Sequence, residues 1–176
     1  MAVVPLALLG PDPAATRAAR GNDGSTVLVG PDMTNTPEKI VYTAHATTIG
    51  GRQGTAKTDD GILDLTLTAP TEMGGPGTGT NPEALFAAGY GACFTGAMGL
   101  AGKELGVETK GAQVRTHVGF GPEGESYSII VDIEAIIPGV DLAKGQELLE
   151  RTHQLCPYSK ATRGNVPVTV KAVESF

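Results

Sequence analysis

Two cysteines have the side chains best suited to covalent chemistry in this chain, because a thiolate is both a nucleophile and a redox centre. Cys93 and Cys156 are the only two among 176 residues and lie 63 positions apart. That spacing matches neither a zinc site, nor a Cys-x-x-Cys redox motif, nor a secreted disulfide framework. Each thiol is therefore either an inert packed side chain or a reactive group, and joint action requires a fold that brings the two together.

Charged residues and histidines near turns and helix ends are further candidates for chemistry. Arg52 stands in a glycine-rich turn, and Glu83 falls in the first turn of a predicted helix, where the helix dipole alone favours a carboxylate. His153 lies one helical turn before the second cysteine, within reach as a base. His45 and His117 fall in predicted strands. For each of these residues a solvated or structural role is the alternative to a catalytic one.

A long apolar helix must position the first cysteine. Asn81 and Pro82 predict its N-cap and first residue, and the pattern continues to about Leu105. Residues 84–102 carry no charge, which meets the length criterion for a membrane span. We interpret it as the central helix of a protein without a membrane partner, because its five glycines each cost a helix about 1 kcal/mol relative to alanine. Its large side chains at helical spacing line an apolar channel or pack the core: Phe86, Tyr90, Phe94 and Met98.

The remaining elements form an α+β pattern with one or two buried helices against an antiparallel sheet. Alternating apolar residues predict strands at 40–46, 63–68, 114–120, 127–137 and 166–173. A glycine-containing turn at 121–124 joins the two long central strands. A second helix begins after Asp141, and Pro157 ends it or starts a short successor.

Composition excludes several classes of function. Thirteen Lys and Arg against 19 Asp and Glu give a net charge of −6, with no basic run, so we expect no nucleic-acid partner. Residues 1–32 are predicted to be an N-terminal extension of unknown role, with a short edge strand at 27–29, and residues 33–176 a single domain. Residues 3–9 lack a preceding basic residue and are broken by Pro5, which argues against a secretory signal.

Four long motifs occur in a fixed order along the chain: VYTAHA at 41–46, GGR at 50–52, NPEALFAAGYGACF at 81–94 and CPYSKATRGN at 156–165. In this order they closely resemble the organic hydroperoxide resistance (Ohr) proteins of the Ohr/OsmC family, from about residue 33 to the C-terminus. The resemblance implies an α+β fold in which antiparallel sheets wrap around long central apolar helices. It also implies an intertwined homodimer with active sites at the subunit interface.

The resemblance assigns a role to four residues. Cys93 is implied to attack the peroxide, Cys156 to resolve the product, and Arg52 with Glu83 to prepare Cys93. The implied activity is a cytoplasmic, cysteine-based peroxidase for alkyl and fatty-acid hydroperoxides. It needs no metal, flavin or haem and is re-reduced by a lipoyl-type dithiol, either a lipoylated protein or dihydrolipoamide. The alternatives are an OsmC-type peroxidase with a different substrate preference and a non-enzymatic dimeric binding module with two structural cysteines.

Elementary electrostatics explains why an arginine belongs in such a set. Burial raises the pKa of a thiol and suppresses the thiolate that attacks peroxide. A guanidinium about 4 Å away at an effective dielectric near 20 contributes about 4 kcal/mol, nearly three pKa units. Glu83 on its own opposes a second anion, so we expect it to orient Arg52 by binding the other edge of the guanidinium.

Helix geometry restricts how these groups can meet. Glu83 and Cys93 are ten residues apart, which is about 15 Å along a straight helix. One arginine side chain cannot contact both. Either the helix is interrupted near residues 81–83, or a neighbouring subunit completes the site, and the glycine-rich helix favours the second option.

Overall fold

The computed structural model describes residues 17–20, 26–29 and 35–176 of the chain. Two compact units are present, residues 1–41 and 42–176. In the first unit, strands β1 (Arg17–Arg20) and β2 (Thr26–Val29) pair antiparallel, and β2 contains the short strand predicted there. All four candidate site residues lie in the second unit.

The first sheet of the larger unit is an antiparallel meander. It consists of β3 (Ala46–Ile49), β4 (Thr55–Thr58) and β5 (Asp64–Thr66). A single 3₁₀ turn, Gly51–Gln53, joins β3 to β4. β5 lies within its predicted range, whereas β4 was not predicted, because its sequence TAKT lacks alternating large apolar residues.

The strand predicted at 40–46 is wrong in its position. Regular pairing begins only at Ala46, and the side chain of Tyr42 is 80% exposed. Alternating residues favour an extended chain, but a strand also needs a neighbour to complete its hydrogen bonds. Among the described residues none pairs with residues 42–44.

The central helix α1 (Pro82–Leu105) has the predicted ends. Asn81 Oδ1 accepts a hydrogen bond from the Ala84 N–H at 2.8 Å, and Gly106 ends the helix in the left-handed region at φ 66°. Within the described ranges it is the one helix long and apolar enough to cross a membrane. One face is buried in the protein core, so we interpret it as a core helix: Tyr90, Phe94, Ala97, Met98 and Ala101. Core packing, rather than a channel, is thus the role of its buried aromatic residues.

The second sheet is built on a long hairpin. Strands β6 (Gln113–Glu123) and β7 (Ser126–Ile136) pair antiparallel, and β6 includes three of the four residues of the turn predicted at 121–124, so that the chain reverses later, at Gly124 and Glu125. Strand β8 (Val168–Ala172) pairs with β7 in parallel. The expectation of a wholly antiparallel sheet is wrong for this pair, because the chain returns through a helical crossover.

That crossover consists of two helices. Helix α2 (Leu142–Leu155) starts at Asp141, whose side chain caps the Lys144 N–H at 2.9 Å. Helix α3 (Pro157–Thr162) follows at once, so that the proline both ends one helix and starts the next. Helices α1 and α2 pack on the second sheet, and α3 contacts both helices. The α+β class predicted from the sequence is confirmed.

Candidate active site

The two cysteines lie side by side although 63 residues separate them. Cys93 is in α1, and Cys156 is at the junction of α2 and α3. Their Sγ atoms are 3.5 Å apart, and both thiols are free. Since a disulfide bond is about 2.05 Å long, closure by about 1.5 Å is enough to join them.

The helix junction explains why Cys156 faces α1. Pro157 disfavours a helical conformation of the residue before it, and Cys156 is accordingly extended, with φ −62° and ψ 125°. Its N–H still donates to the Thr152 carbonyl at 2.9 Å, which completes α2. The cysteine is therefore held between two helices and is fully buried.

The surroundings of Cys93 favour the neutral thiol. Burial raises the pKa of Cys93, and the adjacent Cys156 thiol raises that pKa further. A hydrogen bond with the backbone of Tyr158, in the first turn of α3, acts in the opposite direction. Among the described residues of one chain, then, none supplies this sulfur with the cationic group that a reactive thiolate needs.

Arg52 and Glu83 form a second pair. The guanidinium donates through Nη1 to Glu83 Oε2 at 2.7 Å and through Nη2 to Oε1 at 2.6 Å. This two-pronged hydrogen bond holds the pKa of Glu83 below its ordinary value and raises that of Arg52. The Glu83 carboxylate thus binds both terminal nitrogens of the guanidinium.

Glycines shape the turn that carries Arg52. Gly50 and Gly51 adopt positive φ values of 75° and 57°, which other residues rarely accept. A Cβ on Gly54 would lie 1.7 Å from the carbonyl oxygen of Ile49. The turn thus depends on glycine at its close approach.

Phe120 provides a third contact for Arg52. The guanidinium carbon lies 4.5 Å from the centre of the Phe120 ring, and Tyr127 stacks on that ring at 4.8 Å. Sequence reasoning did not identify Phe120, because nothing in a pattern links a residue of β6 to a turn 68 positions earlier. The only available signal is an aromatic residue beside glycine near the end of a strand.

The structure keeps the two pairs apart. Helix α1 runs without interruption from Pro82 through Cys93, which excludes a break near residues 81–83. Glu83 and Cys93 are consequently about 15 Å apart along the helix axis. One chain therefore brings Cys93 to Cys156 and Arg52 to Glu83, but not the first pair to the second.

A cavity of about 410 Å³ adjoins the arginine–glutamate pair. Glu83 contributes to its wall, but most of the lining is apolar. The apolar lining residues are Pro70, Met73, Ala84, Ala87, Val118 and Phe120. Such a cavity can accept an uncharged organic group next to a polar end.

The histidines do not join either pair. His117 lies 3.4 Å from Glu134 on an exposed strand face. The pKa of His153 is lowered by burial and by Arg163, and its Nδ1 is buried without a hydrogen-bond partner among the described residues. No group of three or more His, Cys, Asp or Glu side chains that could hold a metal ion occurs in the described part of the chain.

Comparison with known proteins identifies relatives with the same architecture. The model of the OsmC-like protein family matches residues 75–171. An organic hydroperoxide resistance protein of Xanthomonas axonopodis pv. citri (strain 306) is 48% identical over 136 residues, which are 76% of this chain and 96% of that protein.

Solved structures agree with this relationship. The crystal structure of the organic hydroperoxide resistance protein OhrB of Bacillus subtilis is 40% identical, with a TM-score of 0.70, and the match covers 76% of this chain and 100% of that one. A structure of an organic hydroperoxide resistance protein from Elizabethkingia anophelis is 41% identical, with a TM-score of 0.72 and coverage of 78% and 99%. The chain belongs to the Ohr/OsmC family and is similar to its organic hydroperoxide resistance proteins.

Proposed function

We propose that this protein is a thiol-dependent peroxidase that reduces organic hydroperoxides to alcohols. The observation that carries the proposal is the 3.5 Å contact between the free thiols of Cys93 and Cys156. Two thiols so close can exchange a reduced and a disulfide form with a small movement. The names of the relatives, which refer to organic hydroperoxide resistance, support the same activity.

The proposed reaction balances in atoms and electrons with the two thiols and an external dithiol. The Cys93 thiolate attacks the O–O bond, takes one oxygen to become a sulfenic acid, and releases an alkoxide that is protonated to the alcohol. The Cys156 thiol then attacks the sulfenic sulfur, which forms the disulfide and releases water. A dithiol reduces that disulfide and is itself oxidised to a disulfide.

The proposed reductant is a lipoyl-type dithiol, as the family resemblance implies. It reduces the protein by thiol–disulfide exchange, so the proposed cycle uses no prosthetic group. We place the cycle in the cytoplasm, where thiols are kept reduced. The apolar cavity beside Glu83 supports an alkyl or fatty-acid hydroperoxide as the substrate.

The proposed active unit is a homodimer in which each site uses both chains. Among the described residues of the same chain none places a cation at Cys93, whereas Arg52 is bound to Glu83, which lies about 15 Å from Cys93 along α1. A two-fold arrangement supplies the missing charge from the partner subunit's Arg52. The exposed face of α1 supports such packing, because its small residues allow close approach: Ala84, Ala88, Ala92 and Gly96.

Thiol titration tests the function directly. One equivalent of cumene hydroperoxide is expected to remove two thiols per wild-type chain and to yield one equivalent of the alcohol. Cys93→Ser serves as the control and should consume no peroxide. Retention of both thiols by the wild type would contradict the proposal and favour the binding module.

Substrate preference separates the two peroxidase alternatives. An enzyme of the Ohr type is expected to turn over an alkyl hydroperoxide much faster than hydrogen peroxide, since the apolar cavity contacts only the organic group. Equal rates, measured side by side with the same dithiol, would instead support an OsmC-type preference.

A further inference from the structure

A cluster of buried hydroxyl groups joins the two helices that carry the cysteines. The Tyr90 hydroxyl of α1 donates to Ser159 Oγ at 2.9 Å and lies 3.1 Å from Thr162 Oγ1, both in α3. Tyr90 and Ser159 are 0% exposed, and Thr162 is 5% exposed. A hydroxyl buried so completely is costly to leave unpaired, so these contacts resist separation of the helices.

The hydroxyl contact and the sulfur contact are adjacent connections between the same elements. Tyr90 precedes Cys93 by three residues, and Ser159 follows Cys156 by three residues. Tyr90 and Cys93 are neighbours on the surface of α1, about 4.5 Å apart along its axis, and Cys156 is the N-cap of the helix that carries Ser159. Any shift of α3 against α1 that changes one contact therefore changes the other.

Thr162 extends this connection to the first turn of α3, next to Cys156. Its hydroxyl hydrogen-bonds to the carbonyl of Tyr158 at 3.0 Å. Tyr158 lies two residues after Cys156, in the first turn of α3. The cluster thus acts on the position of Cys156 without contacting its sulfur.

The distance between the sulfurs decides between two fates of an oxidised Cys93. Attack by Cys156 forms the disulfide and releases water, whereas a second peroxide converts the sulfenic acid to a sulfinic acid. The sulfurs must close from 3.5 Å to about 2.05 Å for the first outcome. An element that limits the motion of α3 therefore favours resolution over further oxidation.

We propose that Tyr90 is a positioning residue for the resolving step, which it governs by holding α3 and hence Cys156 against α1. This inference rests on the proposed peroxidase function. Ser159 and Thr162 transmit the effect, while attack on the peroxide itself does not depend on the tyrosine hydroxyl.

Tyr90→Phe tests the inference because it removes the hydroxyl and keeps the ring. We expect the first oxidation of Cys93 to stay within about twofold of the wild-type rate and disulfide formation to slow about tenfold. That tenfold change corresponds to about 1.4 kcal/mol, the size of one lost hydrogen bond. Rapid quenching with an alkylating reagent, followed by intact mass, measures sulfenic, disulfide and sulfinic forms together. The sulfinic fraction at a fixed excess of hydroperoxide should rise.

Two further variants make the test decisive. Met98→Leu changes another fully buried side chain of α1 without touching a hydroxyl, and its ratio of disulfide to sulfinic product should match the wild type. Ser159→Ala removes the other end of the hydrogen bond and should slow resolution as Tyr90→Phe does. If one of the two variants folds poorly, the other still tests the inference.

The outcomes distinguish this inference from the proposed function. Disulfide formation at the wild-type rate in Tyr90→Phe or in Ser159→Ala would overturn the positioning role, as would equal slowing by Met98→Leu. A wild-type protein that loses no thiols to hydroperoxide would instead overturn the peroxidase function itself.

Discussion

The two sulfurs differ in their access to solvent. Cys156 is fully buried, whereas Cys93 is only partly so. A hydroperoxide from solution can therefore reach Cys93 more readily than Cys156. This difference supports Cys93 as the attacking residue and Cys156 as the internal thiol that closes the disulfide.

Serine variants of the two cysteines should fail at different steps. Cys93→Ser is expected to abolish peroxidase activity, because the attacking sulfur is missing. Cys156→Ser should permit one oxidation and then stall or proceed to the sulfinic acid, because no second thiol resolves the sulfenic acid. Intact mass after peroxide treatment measures both. A Cys156→Ser protein that cycles normally with a small dithiol and shows no sulfinic product would contradict the resolving role.

A lysine should replace Arg52 poorly. Arg52→Lys keeps the charge but loses the planar group that donates to Glu83 twice and stacks on Phe120. We therefore expect it to reduce the peroxide rate nearly as much as Arg52→Ala and to raise the pH midpoint of Cys93 alkylation by iodoacetamide. A wild-type midpoint and rate in the lysine variant would show that positive charge alone is sufficient.

Among the described glycines, Gly54 in the turn between β3 and β4 has the closest contact for an added Cβ. Gly54→Ala would place a methyl group 1.7 Å from the Ile49 carbonyl oxygen, so the turn must move. We expect a loss of about 1–3 kcal/mol in the free energy of unfolding and a lower peroxide rate, because Arg52 moves with the turn. Gly51→Ala is the matched control, since open space surrounds its Cβ position and only its positive φ opposes the change. Thermal unfolding that ranks the two variants equally would contradict this view of the turn.

Helices were predicted from the sequence more accurately than strands, for a physical reason. The ends of α1 are encoded locally, by the Asn81 cap and by the glycine at 106. Strand β4 and the residues before β3 depend instead on neighbours distant in the chain, which a local pattern cannot specify. The parallel pairing of β8 likewise depends on the path of the crossover.

The same distinction applies to the candidate site. The motifs singled out Cys93, Cys156, Arg52 and Glu83, and the structure places them as two contacting pairs. Phe120 was not identified from the sequence, and Tyr90 was named only for an apolar channel or the core, because their contacts join separate elements through ordinary core or strand positions. Residue type marks the chemistry, whereas the supporting contacts become visible only in three dimensions.

For the whole molecule, exposed apolar surface supports association with a second copy. Several large side chains of the first sheet and its loops are strongly exposed in one chain, and Leu100 of α1 is 57% exposed. The exposed side chains of the first sheet and its loops are those of Ile49, Ile62 and Leu63. Where such side chains form one patch, the patch commonly marks an interface between proteins.

Mixing two inactive variants tests whether the sites are shared. Cys93→Ser and Arg52→Ala, refolded together, should recover activity if the arginine of one chain serves the cysteine of the other. One competent site per heterodimer predicts up to about half of the wild-type activity per dimer. No recovery, with heterodimers verified by mass, would place both residues of a working site on the same chain.

Residues 42–44 have no strand partner among the described residues, so we expect folding to depend on protein concentration. The sequence favours a strand there, yet no residue in the described part of the chain pairs with it, so we expect its hydrogen bonds to form against a second copy. Amide exchange at Tyr42–Ala44 should therefore slow as the protein becomes more concentrated, and the midpoint of thermal unfolding should rise with it. Exchange and midpoints that stay constant over a hundredfold dilution would contradict this. If residues 42–44 pair with a second copy, completion of the fold is second order in protein concentration, and dilution alone exposes a strand edge.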